Sequence, residues 1–276
     1  MDNLTIRGHD VTDCHSYLEL PQKIKAYGIK NVQLALGKSF PDLPSGAPDL
    51  SPGYGTFIKQ QFQQADVQIA LLSCYINMIH PNLATREQLL QKFEAYVAHA
   101  KYFGASMVAS ETGNVLPEIQ YTEQNFTPAA FELAVASIQR LVKAGEQHNI
   151  LIGIEPGLNH PIYSLDQTVE LLKRIDSPQL GIILDATNLI TATTYQEQTA
   201  LLQRAFDLFG AKIVAIHLKD FNVVNGQIVP TAIGDGVMDL AGMLAIIRQH
   251  KPFVYVVMEQ TQDAKIPVAA KLIVQS

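Results

Sequence analysis

The chain has 276 residues, 47% of them hydrophobic, and a net charge of −6 at neutral pH. This length can bury one large core, and the acidic balance without a Lys/Arg cluster argues against a nucleic-acid partner. No apolar run reaches the length of a membrane span, and the first residues lack the basic and apolar regions of a signal peptide. With only Cys14 and Cys74, neither a disulfide framework nor a thiolate zinc site is indicated. We therefore expect a cytoplasmic protein with no membrane partner.

Short apolar runs typical of strands alternate with segments of helical spacing along the whole chain. The predicted strands are Leu4–Gly8, Asn31–Leu36, Val67–Ser73, Ser106–Ser110, Ile150–Glu155, Leu180–Asp185, Lys212–His217 and Phe253–Glu259. The predicted helices are Tyr17–Tyr27, Phe57–Ala65, Arg86–Phe103, Pro128–His148, Leu165–Ile175, Tyr195–Phe209, Leu240–Gln249 and Ile266–Val274. Thr127 and Asp239 are predicted N-caps. Long loops are expected at Pro41–Gly55, which is rich in Pro and Gly, and after His217.

Eight strand–helix alternations without a break in composition predict an α/β protein, a single-domain (β/α)₈ TIM barrel over residues 1–276. Strands of continuous apolar character suit a parallel sheet whose outer face is covered by helices. A doubly wound open sheet is the alternative, but the glycine-rich loop that would follow its first strand is missing. The last predicted helix, Ile266–Val274, is short for closing the ring.

Four consecutive predicted strands end on a side chain that can bind a metal: Glu155, Asp185, His217 and Glu259. Active sites of such barrels lie at the C-terminal ends of the strands, so these side chains are expected to be neighbours. Three carboxylates together would repel one another, and a divalent cation removes that repulsion. Carboxylates with one imidazole favour Mn²⁺ or Mg²⁺, with Co²⁺ or catalytic Zn²⁺ as alternatives. The competing interpretation is four unrelated polar residues that make loop hydrogen bonds.

The same positions resemble the xylose isomerase-like barrel superfamily, in particular its sugar phosphate isomerase/epimerase branch. The matching segments are Ile154-Glu155-Pro156, Leu184-Asp185-Ala-Thr-Asn188, His217-Leu-Lys219-Asp220, Met258-Glu259-Gln260, the loop 233–239 and Asn77-Met-Ile-His80-Pro81. The resemblance implies one divalent metal held by the four strand-end residues and a polyhydroxylated substrate that chelates it. It also implies that Glu155 and Glu259 are the acid and base on opposite faces of a ketose. The metal would polarise the ketone and stabilise an enediolate.

Two positions depart from the ketose 3-epimerases of that branch. Asn188 stands where those enzymes commonly have a histidine, and Lys219 and Asp220 follow His217 where an arginine would come a few residues later. Lys219 shares a face with His217 and is expected either to contact a substrate hydroxyl or phosphate, or to form a salt bridge with Asp220 or another acid. Asn188 and Lys219 are therefore predicted substrate contacts.

Further predicted substrate contacts are His9, His80 and Glu111. His9 shares a face with Arg7 on the first strand, and loop hydrogen bonding is an equal alternative. His80 lies in the loop after the third strand, and Glu111 follows the fourth, where it could instead form a turn. His160 is expected to be an ordinary loop histidine.

We therefore expect a metal-dependent isomerase or epimerase that acts on a sugar, a sugar phosphate or a cyclitol. A dehydratase of an inosose-like ketone on the same scaffold is the alternative. An apurinic endonuclease is disfavoured because Asn188 replaces a histidine that its multinuclear site would need. A catalytically silent sugar-binding barrel is the remaining alternative. The expected partner is a small polyhydroxylated substrate, and the sequence is compatible with a homo-oligomer.

Overall fold

A computed structural model describes residues 3–275. Eight parallel strands form a closed barrel in the order β1-β10-β7-β6-β5-β4-β3-β2, and β8 and β9 form a separate antiparallel hairpin. The barrel strands are β1 (Leu4–Arg7), β2 (Asn31–Leu34), β3 (Gln68–Ser73), β4 (Met107–Glu111), β5 (Leu151–Glu155), β6 (Leu180–Asp185), β7 (Ile213–Leu218) and β10 (Tyr255–Met258). The hairpin strands are β8 (Asp220–Val224) and β9 (Gln227–Thr231). The predicted TIM barrel is confirmed.

Helices surround the barrel, and their ends follow the capping signals of the sequence. They are α1 (Glu19–Ala26), α2 (Leu36–Ser39), α3 (Pro52–Gln64), α4 (Leu83–Phe103), α5 (Pro128–His148), α6 (Leu165–Arg174), α7 (Gln198–Phe209), α8 (Leu240–His250) and α9 (Ile266–Gln275). The predicted N-caps are confirmed, since Thr127 accepts the Ala130 N–H and Asp239 accepts the Gly242 N–H. Within residues 3–275 no helix combines the length and the apolar content that crossing a bilayer requires.

The interior of the barrel is filled with packed apolar side chains beneath the C-terminal ends of the strands. Most of the buried apolar side chains lie in one large cluster, and a second, small cluster consists of Ala70, Leu71, Met107, Ala109, Ile183 and Ala215. Ile183 precedes Asp185 by two residues and Ala215 precedes His217 by two, so each pair shares the inward face of its strand. The small cluster therefore supports the polar side chains above it.

Predicted boundaries were wrong at the ends of several elements, including one long loop and the last strand. The predicted loop Pro41–Gly55 ends early, because the Ser51 side chain accepts the Tyr54 N–H and α3 begins at Pro52. The predicted strand Phe253–Glu259 is shorter at both ends. A turn closed by the Val254 N–H and the Lys251 carbonyl precedes β10, and Glu259 lies just beyond it, although its N–H still bonds to the Leu218 carbonyl.

The loop predicted after His217 was also wrong, because it contains the β8–β9 hairpin. Asn225 and Gly226 connect the two strands, and both have positive φ, 51° and 74°. This geometry is that of a two-residue turn that matches the twist of a hairpin, for which Asn-Gly is the strongest short signal. The signal is present in the sequence, in Val223-Val224-Asn-Gly-Gln-Ile-Val229.

Candidate metal centre and the cavity beside it

The four strand-end residues converge as predicted. Glu155 and Asp185 end β5 and β6, His217 is the second-last residue of β7, and Glu259 follows β10 directly. The register pairs Asp185 with His217 across neighbouring strands. All four side chains are buried, and each offers a ligand atom such that these atoms lie within 4.8 Å of one another. This group could hold a metal ion.

The imidazole of His217 is oriented by a hydrogen bond at Nε2. Its Nε2 lies 2.9 Å from the side-chain carbonyl of Gln33, whose own amide donates to Ser73 Oγ at 2.8 Å. Because a carbonyl oxygen can only accept, Nε2 carries the hydrogen. Nδ1 then faces the carboxylates, 2.9 Å from Glu259 Oε2 and 3.4 Å from Glu155 Oε2. A partner that fixes the tautomer in this way is typical of metal-binding histidines.

Asp185 and Glu155 are held by the loop that follows β6. The backbone N–H groups of Thr187 and Asn188 donate to Asp185 Oδ1 at 2.8 and 3.3 Å. The Asn188 amide donates to Glu155 Oε1 at 2.7 Å, while its carbonyl accepts from Lys219 Nζ at 2.6 Å. Lys219 Nζ also lies 2.7 Å from Asp185 Oδ2. Asn188 and Lys219 thus contact the cluster itself, and the salt bridge expected of Lys219 is made with Asp185.

Glu259 is the carboxylate most surrounded by positive charge. Arg7 Nη1 lies 2.8 Å and Lys219 Nζ 3.2 Å from its Oε1 atom. Burial alone would raise the pKa of Glu259, but Lys219, His217 and Arg7 outweigh burial and hold this pKa well below its usual range. Arg7 is itself fixed by Asp10, through contacts of 2.9 and 2.8 Å. Glu259 is therefore ionised at neutral pH.

The net charge of the buried cluster fits a divalent cation. Four buried carboxylates contribute four negative charges, and Arg7 and Lys219 contribute two positive charges. The cluster and its neighbours therefore carry a net charge of two negative units when the His217 imidazole is neutral. The carboxylates counted are those of Asp10, Glu155, Asp185 and Glu259, all buried. Burial lowers the pKa of His217, but the Glu155 and Glu259 carboxylates raise it to about 10. The carboxylates around His217 Nδ1 therefore favour a positive charge at this atom. A bound divalent cation would supply that charge in place of a proton.

A cavity of about 640 Å³ lies beside the cluster at the barrel mouth. Asn188 and Lys219 contact the cluster and belong to the lining of this cavity, and the hairpin forms one wall with Ile228 and Pro230. A second cavity, of about 480 Å³, is lined by residues of α6, α7 and the adjoining loops, and neither Asn188 nor Lys219 belongs to its lining. The larger cavity is therefore the one that could place a ligand against the cluster.

His160 lines this cavity together with Glu111. Its Nδ1 lies 2.8 Å from the Gly113 carbonyl, and its Nε2 lies 3.7 Å from Glu111 Oε2. The expectation of an ordinary loop histidine did not anticipate this position. One sequence signal could have indicated this position of His160. The short loop Pro156–Pro161 directly follows Glu155, at the C-terminal end of a barrel strand, where the active site of such a barrel lies.

The other two predicted histidines have different surroundings. The His9 ring meets the Tyr75 ring edge to face at 6.1 Å, and burial together with Arg7 lowers the pKa of His9 to about 3. His80 Nδ1 accepts the Asn82 N–H at 3.1 Å at the start of α4. The contacts described for His80 do not include any of the four clustered residues, and its role as a substrate contact stays a prediction.

Asp220 is not the salt-bridge partner of Lys219. Its Oδ1 accepts the N–H groups of Phe221 and Met238 at 2.8 and 2.9 Å. Its Oδ2 accepts those of Gly234 and Gly236 at 2.9 and 3.1 Å. Asp220 therefore anchors the loop between β9 and α8 to the base of the hairpin, a role that depends on contacts distant in sequence.

Comparison with known proteins gives one family and several relatives. A family model described as xylose isomerase-like TIM barrel matches residues 21–273. The 3-oxo-isoapionate decarboxylase of Pectobacterium atrosepticum is 30% identical over 88 residues, which make up 32% of this chain and 29% of that protein. The match thus spans less than a third of that relative.

Solved structures resemble the whole chain. The probable 3-DHS dehydratase AsbF of Bacillus anthracis, involved in petrobactin synthesis, has a TM-score of 0.75 and 17% identity, covering 99% of this chain and 98% of that one. The 3-keto-D-glucoside 4-epimerase YcjR of E. coli has a TM-score of 0.74 and 13% identity, covering 99% of each chain. A xylose isomerase-like TIM barrel protein of Mycobacterium smegmatis in complex with magnesium has a TM-score of 0.69 and 14% identity, covering 99% and 95%. At these identities the likeness shows the fold.

Proposed function

Because this chain belongs to the xylose isomerase-like TIM barrel family, we propose that it is a divalent-metal-dependent enzyme that isomerises or epimerises a sugar or cyclitol. The observation that carries the proposal is the position of two glutamates around one imidazole atom. Glu155 and Glu259 both approach His217 Nδ1, at 3.4 and 2.9 Å. Two carboxylates at one centre can serve as the base and the acid of a proton transfer at carbon.

Glu155, Asp185, His217 and Glu259 would hold the metal. A bound divalent cation supplies Lewis-acid polarisation of the substrate carbonyl, which acidifies the neighbouring C–H bond. The oxygen-rich donor set favours Mn²⁺ or Mg²⁺ over zinc or cobalt. Proteins with this fold hold magnesium or zinc, which supports a divalent metal without selecting one.

The proton transfer uses two glutamates of this chain and two residues that position them. Glu259, kept ionised by its cationic neighbours, removes the carbon-bound proton. Glu155, having taken up a proton from solvent, delivers it to the other face of the substrate carbon, and Glu259 then releases the removed proton to solvent. Asn188 and Arg7 are positioning residues. Asn188 donates a hydrogen bond to Glu155, Arg7 forms an ion pair with Glu259, and each contact fixes the direction of the carboxylate.

The test is solvent deuterium exchange into a ketose, followed by NMR with metal-loaded protein in D₂O. We expect Glu155→Gln and Glu259→Gln each to lower the exchange rate by roughly 10²–10⁴-fold, the usual contribution of a general acid or base. Glu118→Gln is the matched control, because Glu118 is exposed and lies in the loop after β4. Wild-type exchange in either glutamine variant of the cluster would exclude this proton pair.

A dehydratase of an inosose-like ketone is the second candidate. Glu111 favours it, because burial raises the pKa of this cavity carboxyl and a departing hydroxide needs a proton donor. The fold of a probable dehydratase is also similar. Mass spectrometry separates the two reactions, because only the dehydratase lowers the substrate mass by one water.

A further inference from the structure

His160 presents one defined atom to the cavity. Its side chain is buried, and its Nδ1 lies 2.8 Å from the Gly113 carbonyl. A carbonyl oxygen only accepts, so Nδ1 carries the hydrogen and donates it. In the neutral imidazole the lone pair is then on Nε2, the atom 3.7 Å from Glu111 Oε2. His160 thus offers a hydrogen-bond acceptor beside a second acceptor.

The loop that carries His160 is tightly fixed. The Asn159 carbonyl accepts from the side-chain amides of Asn114 and Asn125, at 3.1 and 2.8 Å. Both asparagines are fully buried. The His160 N–H also bonds to the Gly157 carbonyl at 3.0 Å. Because two buried side-chain amides donate to the Asn159 carbonyl, the neighbouring His160 imidazole is held in place, as a preorganised binding group requires.

Glu111 faces the same space from β4. It pairs in register with Glu155, so it lies next to the proposed proton pair without belonging to it. About a third of its side chain, 34%, is exposed, and Glu111 lines the cavity. A separation of 3.7 Å from His160 Nε2 is too long for a hydrogen bond. Both acceptors therefore remain open to a donor from a ligand.

The charges on this side of the cavity disfavour an anionic ligand group. Among the described residues that line the cavity, Lys219 is the one lysine or arginine, and its ammonium is already bound by Asp185 and Glu259. A phosphate at this wall would meet Glu111 without a free cation, and phosphate sites normally provide arginine, lysine or a helix N-terminus. Hydroxyl groups suit two acceptors instead.

We propose that Glu111 and His160 form a hydroxyl-binding subsite for the part of the substrate that extends away from the metal cluster. The substrate is then a polyhydroxylated ketone that is not phosphorylated at that end. This inference rests on the proposed function and adds the substrate class to it. The subsite accepts hydrogen bonds from hydroxyl groups and offers no free cation to a phosphate.

A first experiment needs no substrate. In ¹⁵N-labelled protein, two-bond ¹H–¹⁵N correlations report which ring nitrogens of each histidine carry a hydrogen. His160→Gln identifies the signal of His160. The inference requires a protonated Nδ1 and a bare Nε2 at His160. The opposite tautomer would overturn it, because Nε2 would then be a donor.

A second experiment measures deuterium exchange with D-fructose, D-tagatose and D-psicose and with their 6-phosphates. We expect free ketoses to exchange and the phosphates to be at least about tenfold slower in kcat/KM. Glu111→Gln and His160→Gln should raise KM for the free ketose by roughly 10–100-fold with a much smaller change in kcat. Both variants should bind Mn²⁺ with wild-type stoichiometry, and Glu118→Gln should behave as wild type.

Faster exchange of the phosphates, or an unchanged KM in both variants, would overturn the subsite. Absence of exchange from every ketose and from an inosose in the wild type would contradict the proposed function instead. The tautomer of His160 would still decide the geometry of the subsite in that case.

Discussion

Gln33 is the residue through which the metal cluster reaches the opposite side of the barrel mouth. Its carbonyl lies 2.9 Å from His217 Nε2, and its amide donates to Ser73 Oγ and to the Tyr75 hydroxyl at 2.8 and 3.3 Å. Gln33 is buried on β2, whereas the cluster lies on β5, β6, β7 and at the end of β10. Its function follows from the single hydrogen bond that it accepts from the imidazole.

Replacing Gln33 by Met should weaken metal binding without removing a ligand. The thioether of Met is a poor acceptor, so the His217 ring loses the bond that fixes its tautomer. We expect the Kd for Mn²⁺ to rise about 10–100-fold in calorimetric titrations. Gln63→Met, at an exposed position in α3, is the control. An unchanged Kd in Gln33→Met would show that the hydrogen bond does not tune the site.

At the scale of elements, the loop after the hairpin depends on one carboxylate. Asp220 accepts four backbone N–H groups, two on each oxygen, and three of them come from the segment 234–238. Gly236 is required here, because a Cβ at this position would lie 2.2 Å from Asp220 Oδ1 and 2.4 Å from the Phe221 carbonyl. The loop therefore closes around Asp220 in one conformation.

Asp220→Ala should destabilise the protein by about 3 kcal/mol, because the substitution leaves several buried N–H groups without an acceptor. Urea unfolding followed by circular dichroism measures this free energy. The control is Asp42→Ala, at an exposed loop position, which should change stability by less than about 0.5 kcal/mol. A similarly small change in Asp220→Ala would mean that the loop does not need its anchor.

The elements differ in how well they can be predicted from sequence. The barrel strands are continuous apolar runs because both of their faces are buried, and such runs can be recognised locally. The hairpin projects from the barrel, and Val224 and Val229 are exposed on it, so burial does not determine its pattern. Only the turn at Asn225-Gly226 marks it.

The same distinction applies to the candidate site. The positions of Asp185 and His217 follow from where their strands end, because parallel strands bring these ends together. The partners of Lys219 and the direction of the His160 ring depend on loops that meet only in the folded chain. Spacing along the sequence contains no information about those distances.

At the scale of the whole molecule, the cluster connects strands that are far apart in the chain. Glu155 and Glu259 are separated by more than a third of the sequence, and both meet at His217. Even with His217 protonated, the four buried carboxylates outnumber the three cationic groups around them, and this excess of negative charge opposes folding when no metal cation compensates it. A ligand that binds only the folded state stabilises it.

Removal of the metal should therefore lower thermal stability. At a free metal concentration about 100 times Kd, binding adds about 2.7 kcal/mol, which corresponds to roughly 5–10 °C in Tm for a chain of this size. Scanning calorimetry with and without chelator measures the difference. Asp185→Asn, which removes one anionic ligand, should show a much smaller response to chelator. Equal Tm values for the wild type under both conditions would contradict a structural contribution of the metal.

The β8–β9 hairpin has a consequence for how this barrel can change its substrate. The hairpin forms one wall of the cavity through Ile228 and Pro230, yet its ladder is separate from the eight barrel strands. Asp220 fixes its base through backbone groups, which do not depend on the neighbouring side chains. The part of the hairpin beyond Asp220 is thus a replaceable module: its side chains can diversify, or be exchanged by design, while the strands that carry the metal ligands keep their register.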